Sequence, residues 1–119
     1  MMSEPRPSAA PAGFAPVARA GDIPPGTMKS VRTPTGEPVV VMNVDGEFYA
    51  LADCCSHESF ELSEGELLPD GTIECMWHGA RFDVRTGAAT HPPAVDDVPV
   101  YPVRVEDGVI LIGPRRRST

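Results

Sequence analysis

The hydrophobic and polar positions alternate over short distances, and no stretch carries a long helical period. Phe14 to Arg19 predicts a first strand, and Asp22-Ile23-Pro24-Pro25-Gly26 a turn. Met28 to Thr33 predicts a second strand, stopped by Pro34-Thr35-Gly36. The clearest local signal follows. Pro38 to Val44 is β-branched and apolar, Asp45-Gly46 suits a type I′ turn, and Glu47 to Ala52 carries Phe48 and Tyr49. That pattern predicts a β-hairpin. Asp70-Gly71 marks another turn, Thr72 to Cys75 a short strand, and Arg81 to Val84 a strand closed by the turn Arg85-Thr86-Gly87. Thr90-His91-Pro92-Pro93 is expected to lie outside regular sheet, because two prolines remove ladder donors. Val98 to Val105 and Val109 to Ile112 flank Glu106-Asp107-Gly108 as a last hairpin. The expected fold class is therefore all-β, in a small sandwich or barrel.

Composition supports this reading. The chain has 119 residues, with fourteen Pro and eleven Gly spread along it. That punctuation suits many short strands within one domain. Residues 1–13 are rich in Pro, Ala and Ser and predict a disordered tail. The domain is expected over 14–114, followed by a basic tail, 115–119, that begins Arg115-Arg116-Arg117. A formal charge of −7 argues against a nucleic-acid binder and suits solubility or a basic partner. Met1 to Pro11 lacks a secretory pattern, and the run Val39 to Met42 is too short to span a bilayer. A cytoplasmic protein away from the membrane is expected. In that compartment Cys and His spacing points to metal rather than to disulfides.

Two motifs carry the chemistry: Cys55-Ser56-His57 and, after seventeen intervening residues, Cys75-Met76-Trp77-His78. Each pairs a thiol with an imidazole. Structural zinc sites use the same donors but usually group two Cys on one knuckle. A two-iron cluster explains the alternation if each loop gives its Cys to one iron and its His to the other. Imidazoles in place of two thiolates leave the centre less negative and easier to reduce. Spacing alone leaves Cys54 open beside Cys55, because Cys54 to His57 repeats the spacing of Cys75 to His78. No phosphate loop, Ser/His/Asp order or facial triad is present.

The arrangement C-x-H, seventeen residues, C-x2-H resembles the Rieske [2Fe–2S] motif. Ser63-Glu64-Gly65, His78-Gly79, Phe82-Asp83 and Thr86-Gly87 are similar to family sequence, and Pro92-Pro93 falls where the family has a proline loop. The resemblance covers about residues 22–113 and implies a β-sandwich or barrel with a two-loop cluster-binding subdomain. It implies one [2Fe–2S] cluster per chain, held by Cys55, His57, Cys75 and His78, with Cys54 a bystander thiol. Leu62 to Gly65 and Arg85 to Gly87 most resemble the ferredoxin components of bacterial aromatic-ring-hydroxylating dioxygenases. In those systems a flavin-dependent NAD(P)H reductase passes electrons to the ferredoxin, which hands them singly to a terminal oxygenase. The resemblance thus implies an electron carrier, not an enzyme, and a monomer is expected. A Rieske-like small subunit of a larger oxidoreductase such as nitrite reductase is the alternative, ahead of a zinc-binding structural module.

High-potential members of the family carry a second Cys in each loop, where this chain has Phe60 and Trp77. Those members place Ser and Tyr hydroxyls where this chain has Ala80 and Phe82. Without these hydrogen bonds the reduced cluster is less stabilised, so the midpoint is expected below zero, toward the bottom of the range of roughly −150 to +300 mV. Glu58, Glu61 and Glu64 are read as solvated loop charges that could also form an acidic docking rim, Met76 and Trp77 as packing residues, and His91 as a surface histidine.

Overall fold

The computed structural model describes residues 13–34, 36–53, 61–75, 80–91 and 98–114. Of the expected tails, 1–13 and 115–119, all but Gly13 lies outside the described residues, as do 35, 54–60, 76–79 and 92–97. The described residues form eleven strands: β1 Ala15–Arg19, β2 Met28–Arg32, β3 Pro38–Val44, β4 Glu47–Ala52, β5 Glu66–Leu67, β6 Thr72–Glu74, β7 Arg81–Asp83, β8 Ala89–His91, β9 Val100–Tyr101, β10 Val103–Glu106 and β11 Val109–Ile112. Short 3-10 turns occupy Ala20–Asp22 and Leu62–Glu64.

The strands form three antiparallel sheets, ordered β1-β11-β10, β2-β3-β4-β9 and β5-β6-β7-β8. The β3–β4 hairpin is the framework. Its register runs from Val39 opposite Ala52 to Val44 opposite Glu47. Asp45 and Gly46 have φ of 54° and 92°, as a type I′ turn requires. Strand β3 does not alternate: Val39 to Asn43 are all buried. It is the inner strand between β2 and β4, covered on both faces, so its β-branched run has no solvent side. Asn43 is tolerated there because its amide donates to the Ile23 carbonyl at 2.7 Å and accepts from the Gly46 N–H at 2.8 Å.

All three sheets contribute to one apolar core. Val40 and Leu51 from the second sheet, Ile73 and Phe82 from the third and Ile110 from the first belong to the same buried cluster. Each such side chain contributes about 1.5–3 kcal/mol on burial. The third sheet is the one that delivers the metal-motif cysteine, so the site is anchored directly to this core.

Two sequence expectations are corrected. Thr90 and His91 do lie in sheet: β8 pairs with β7, with Arg81 opposite His91, Phe82 opposite Ala89, and a bulge between. The prolines begin only at position 92, so the residues before them keep their donors. A residue preceding proline also favours extended backbone. The single strand expected over Val98 to Val105 is broken at Pro102. Strand β9 pairs with β4 and β10 with β11, so the chain changes sheet at a residue without an N–H. The Pro102 carbonyl still accepts from Gly113 N–H at 2.9 Å. Strand β5 and the 3-10 turn at Leu62–Glu64 were not expected, because two- and three-residue elements carry no period.

Candidate metal centre

Cys75 follows directly on β6. That strand is set by the turn before it, where the Asp70 carboxylate accepts from Thr72 Oγ1 at 2.7 Å and Thr72 N–H at 3.1 Å. These bonds, the hydroxyl's above all, hold the Asp70 carboxyl below its ordinary value. Gly71 has φ of 88°. Past the strand, the Cys75 N–H donates to the Ala80 carbonyl at 2.7 Å, one step beyond the pairing of Glu74 with Arg81. His78 comes three residues after Cys75 in the sequence.

The Cys75 side chain is 0% exposed and belongs to the same buried cluster as Leu62, Ala80 and Phe82. Cys75 is thus shielded from solvent in an apolar setting just past a strand end, three residues before His78 in the sequence. Ala80 and Phe82 are also fully buried, and neither side chain carries a hydroxyl. Cys55, His57 and His78 lie outside the described residues, as do Cys54, Glu58, Phe60, Met76, Trp77 and Pro92-Pro93. Glu61 and Glu64 are exposed, in keeping with solvated loop charges. His91 is placed by its backbone on β8.

Two features of the site were missed in the sequence. The first is Asp53, which is 2% exposed and immediately precedes the first motif stretch. Its carboxylate accepts Ser63 N–H at 2.7 Å on Oδ1, and the hydroxyls of Ser63 at 2.7 Å and Ser30 at 2.9 Å on Oδ2. Its own N–H donates to the Pro38 carbonyl at 3.1 Å. Burial of a carboxylate requires such donors. In the sequence, Asp53 reads as an ordinary polar residue at a strand end.

The second is the reason for Gly65. A Cβ there would collide with the Glu74 carbonyl oxygen and stand 3.0 Å from the Glu74 carbonyl carbon. This close approach lets β5 pair with β6, Glu66 opposite Glu74. The segment that follows the first motif in sequence is thereby joined to the strand just before Cys75.

Among the described residues, three small antiparallel sheets share one core, and a buried cysteine stands just past the end of one of their strands, which defines an all-β domain. The Rieske [2Fe–2S] domain model matches residues 13–102, and the chain belongs to that family. It is 45% identical over 91 residues to the 3-phenylpropionate/cinnamic acid dioxygenase ferredoxin subunit of Escherichia coli K12, covering 76% of this chain and 84% of that protein. Among solved structures it resembles the ferredoxin of carbazole 1,9a-dioxygenase from Nocardioides aromaticivorans IC177. There the TM-score is 0.80 at 35% identity, over 87% of this chain and 99% of that one. It also resembles a chain of the complex of reduced oxygenase and oxidised ferredoxin in carbazole 1,9a-dioxygenase. That match has a TM-score of 0.82 at 33% identity, over 88% and 96%.

Proposed function

We propose that the protein is the electron-carrying ferredoxin of a multicomponent aromatic-ring-hydroxylating dioxygenase system, without turnover of its own. The observation that carries this reading is coverage. The chain matches ferredoxin components over 84–99% of their length. The family's cofactor is the Rieske [2Fe–2S] cluster, one for the one domain matched. When bound, that cluster accepts and releases single electrons.

Cys55 and Cys75 are the proposed thiolate ligands of one iron, and His57 and His78 the imidazole ligands of the other. The burial of Cys75 supports its part, because a shielded thiolate is kept from solvent and from other thiols. The main chain fixes Cys75 through its bond to Ala80, while Phe82 fills the apolar surroundings. In this reading the domain spans residues 14–114 with tails on either side, and the protein is a cytoplasmic monomer. Among the described residues no helix is long and apolar enough to cross a membrane.

The proposed partners are a flavin-dependent NAD(P)H reductase upstream and a terminal oxygenase downstream. A net charge of −7 suits docking on basic surfaces, with on-rates that fall as salt rises. The test is reconstitution. The purified protein should hold two irons and two labile sulfides and have a midpoint potential below zero. It should also restore NADH-driven product formation to a reductase and an oxygenase that are inactive without it. Colourless protein holding one zinc, or a clustered protein that cannot couple any such pair, refutes the assignment.

A further inference from the structure

Among the described residues Asp53 is the only buried charged side chain, and it lies where the chain leaves β4 for the first metal motif. Its three donors come from two separate places. Ser30 belongs to β2 in the second sheet, whereas Ser63 belongs to the 3-10 turn that leads into the third. The carboxylate therefore ties residue 53 to residue 63 through both the main chain and the side chain of Ser63. It also ties both to the framework hairpin's neighbouring strand. Residues 53 and 63 bracket the stretch that carries Cys55 and His57. Among the described residues no ladder hydrogen bond does this work: β4 ends at Ala52 and the next described strand starts at Glu66.

We propose that Asp53, with Ser63 and Ser30, is the positioning residue of the iron–sulfur centre, holding the two ends of the Cys55–His57 stretch in register with the Cys75 hairpin. The inference rests on the cluster assignment made above. It follows from the direction of the bonds. Gly65 and the β5–β6 pairs fasten residues 65–67 to the strand before Cys75, and Asp53 extends that fastening back to the other side of the first motif. Groups that orient metal ligands in this way typically change metal affinity about 10–100-fold when removed.

The test uses full-length, cluster-loaded protein and follows loss of visible absorption to an iron chelator, together with the electron paramagnetic resonance spectrum of the reduced form. Asp53→Ala and Ser63→Ala are expected to bleach about 10–100-fold faster than wild type, with shifted or broadened g-values. Ser63→Thr keeps the hydroxyl and is expected to retain both wild-type properties. Ile110→Val, in the first sheet, controls for general loss of stability and should bleach like wild type. If Asp53→Ala does not fold, Ser63→Ala decides, because the Ser63 N–H still satisfies Oδ1. Wild-type bleaching and an unchanged spectrum in Ser63→Ala overturn the inference, as does an Ile110→Val variant that bleaches as fast as Ser63→Ala. A wild-type protein without two irons and two sulfides overturns the function proposed above as well.

Discussion

Substituting Gly65 by Ala separates steric cost from conformational cost. The new methyl would meet only backbone: the Glu74 carbonyl oxygen in direct collision, the Glu74 carbonyl carbon at 3.0 Å and the Cys75 Cα at 3.3 Å. No rotamer change relieves a clash with main chain. Ordinary contact at 3.4 Å or more requires β5 to move away from β6. Overpacking of this kind costs about 1–3 kcal/mol, and each ladder bond weakened adds about 1 kcal/mol. Removing a glycine returns about 0.4–1 kcal/mol through the unfolded chain. The net expectation is about 3 kcal/mol, a large share of the roughly 5–15 kcal/mol that stabilises a domain.

Gly87→Ala is the companion. It meets the Val98 carbonyl oxygen in the same way but also has φ of +76°, which costs an L-residue about 1–2 kcal/mol more. The assay is urea unfolding followed by far-UV circular dichroism. With a slope near 2 kcal/mol/M, Gly65→Ala should lower the midpoint by about 1.5 M and Gly87→Ala by more. Because the displaced atoms adjoin Cys75, Gly65→Ala should also lose bound iron. A Gly65→Ala midpoint within about 0.2 M of wild type would refute the argument.

Introducing hydroxyls beside the cluster with Ala80→Ser and Phe82→Tyr should raise the midpoint potential. A bond worth about 1 kcal/mol more in the reduced state corresponds to about 40 mV for a one-electron couple, so the pair should add about 80 mV. A potential that stays put or falls on redox titration contradicts the role given to positions 80 and 82. Thr72→Val should bring the Asp70 pKa up toward its ordinary 3.8, read by NMR titration. Asp70 is held low in the folded state, so its contribution to stability is present above pH 3.8 and is lost as pH falls through the lower folded value. An unmoved titration curve in that variant removes the hydroxyl as the main cause.

What could be read in advance follows from how local the causes are. The β3–β4 and β10–β11 hairpins were legible because each joins apolar runs across an Asp-Gly pair, and Asp107 and Gly108 also take positive φ, at 52° and 75°. The break at Pro102 was not legible, because a proline between two apolar pairs states that a bond is missing and not which sheet each side joins. Strand β8 was misread by extending the effect of Pro92 backwards over residues that keep their donors. The burial of Asp53 depends on serines 23 and 10 residues away in sequence, so no window around it could reveal its setting. The strand expected over Thr72 to Cys75 is present as Thr72–Glu74 with Cys75 just past its end, whereas the burial of the thiol depends on distant packing and was not legible. The proposed set of four ligands rests on the motif and the family, because Cys55, His57 and His78 lie outside the described residues.

The pairing of β1 with β11 sets Ala15 opposite Ile112, so the first and last strands lie side by side in one sheet. The fold is topologically almost a ring. A short linker could join these two strands, and new ends could be opened at the exposed Asp107-Gly108 turn, which lies between β10 and β11. The third sheet and both cysteine motifs would then sit in the middle of an uninterrupted chain. A partner protein could be fused at the opened turn without lengthening any segment that reaches the metal.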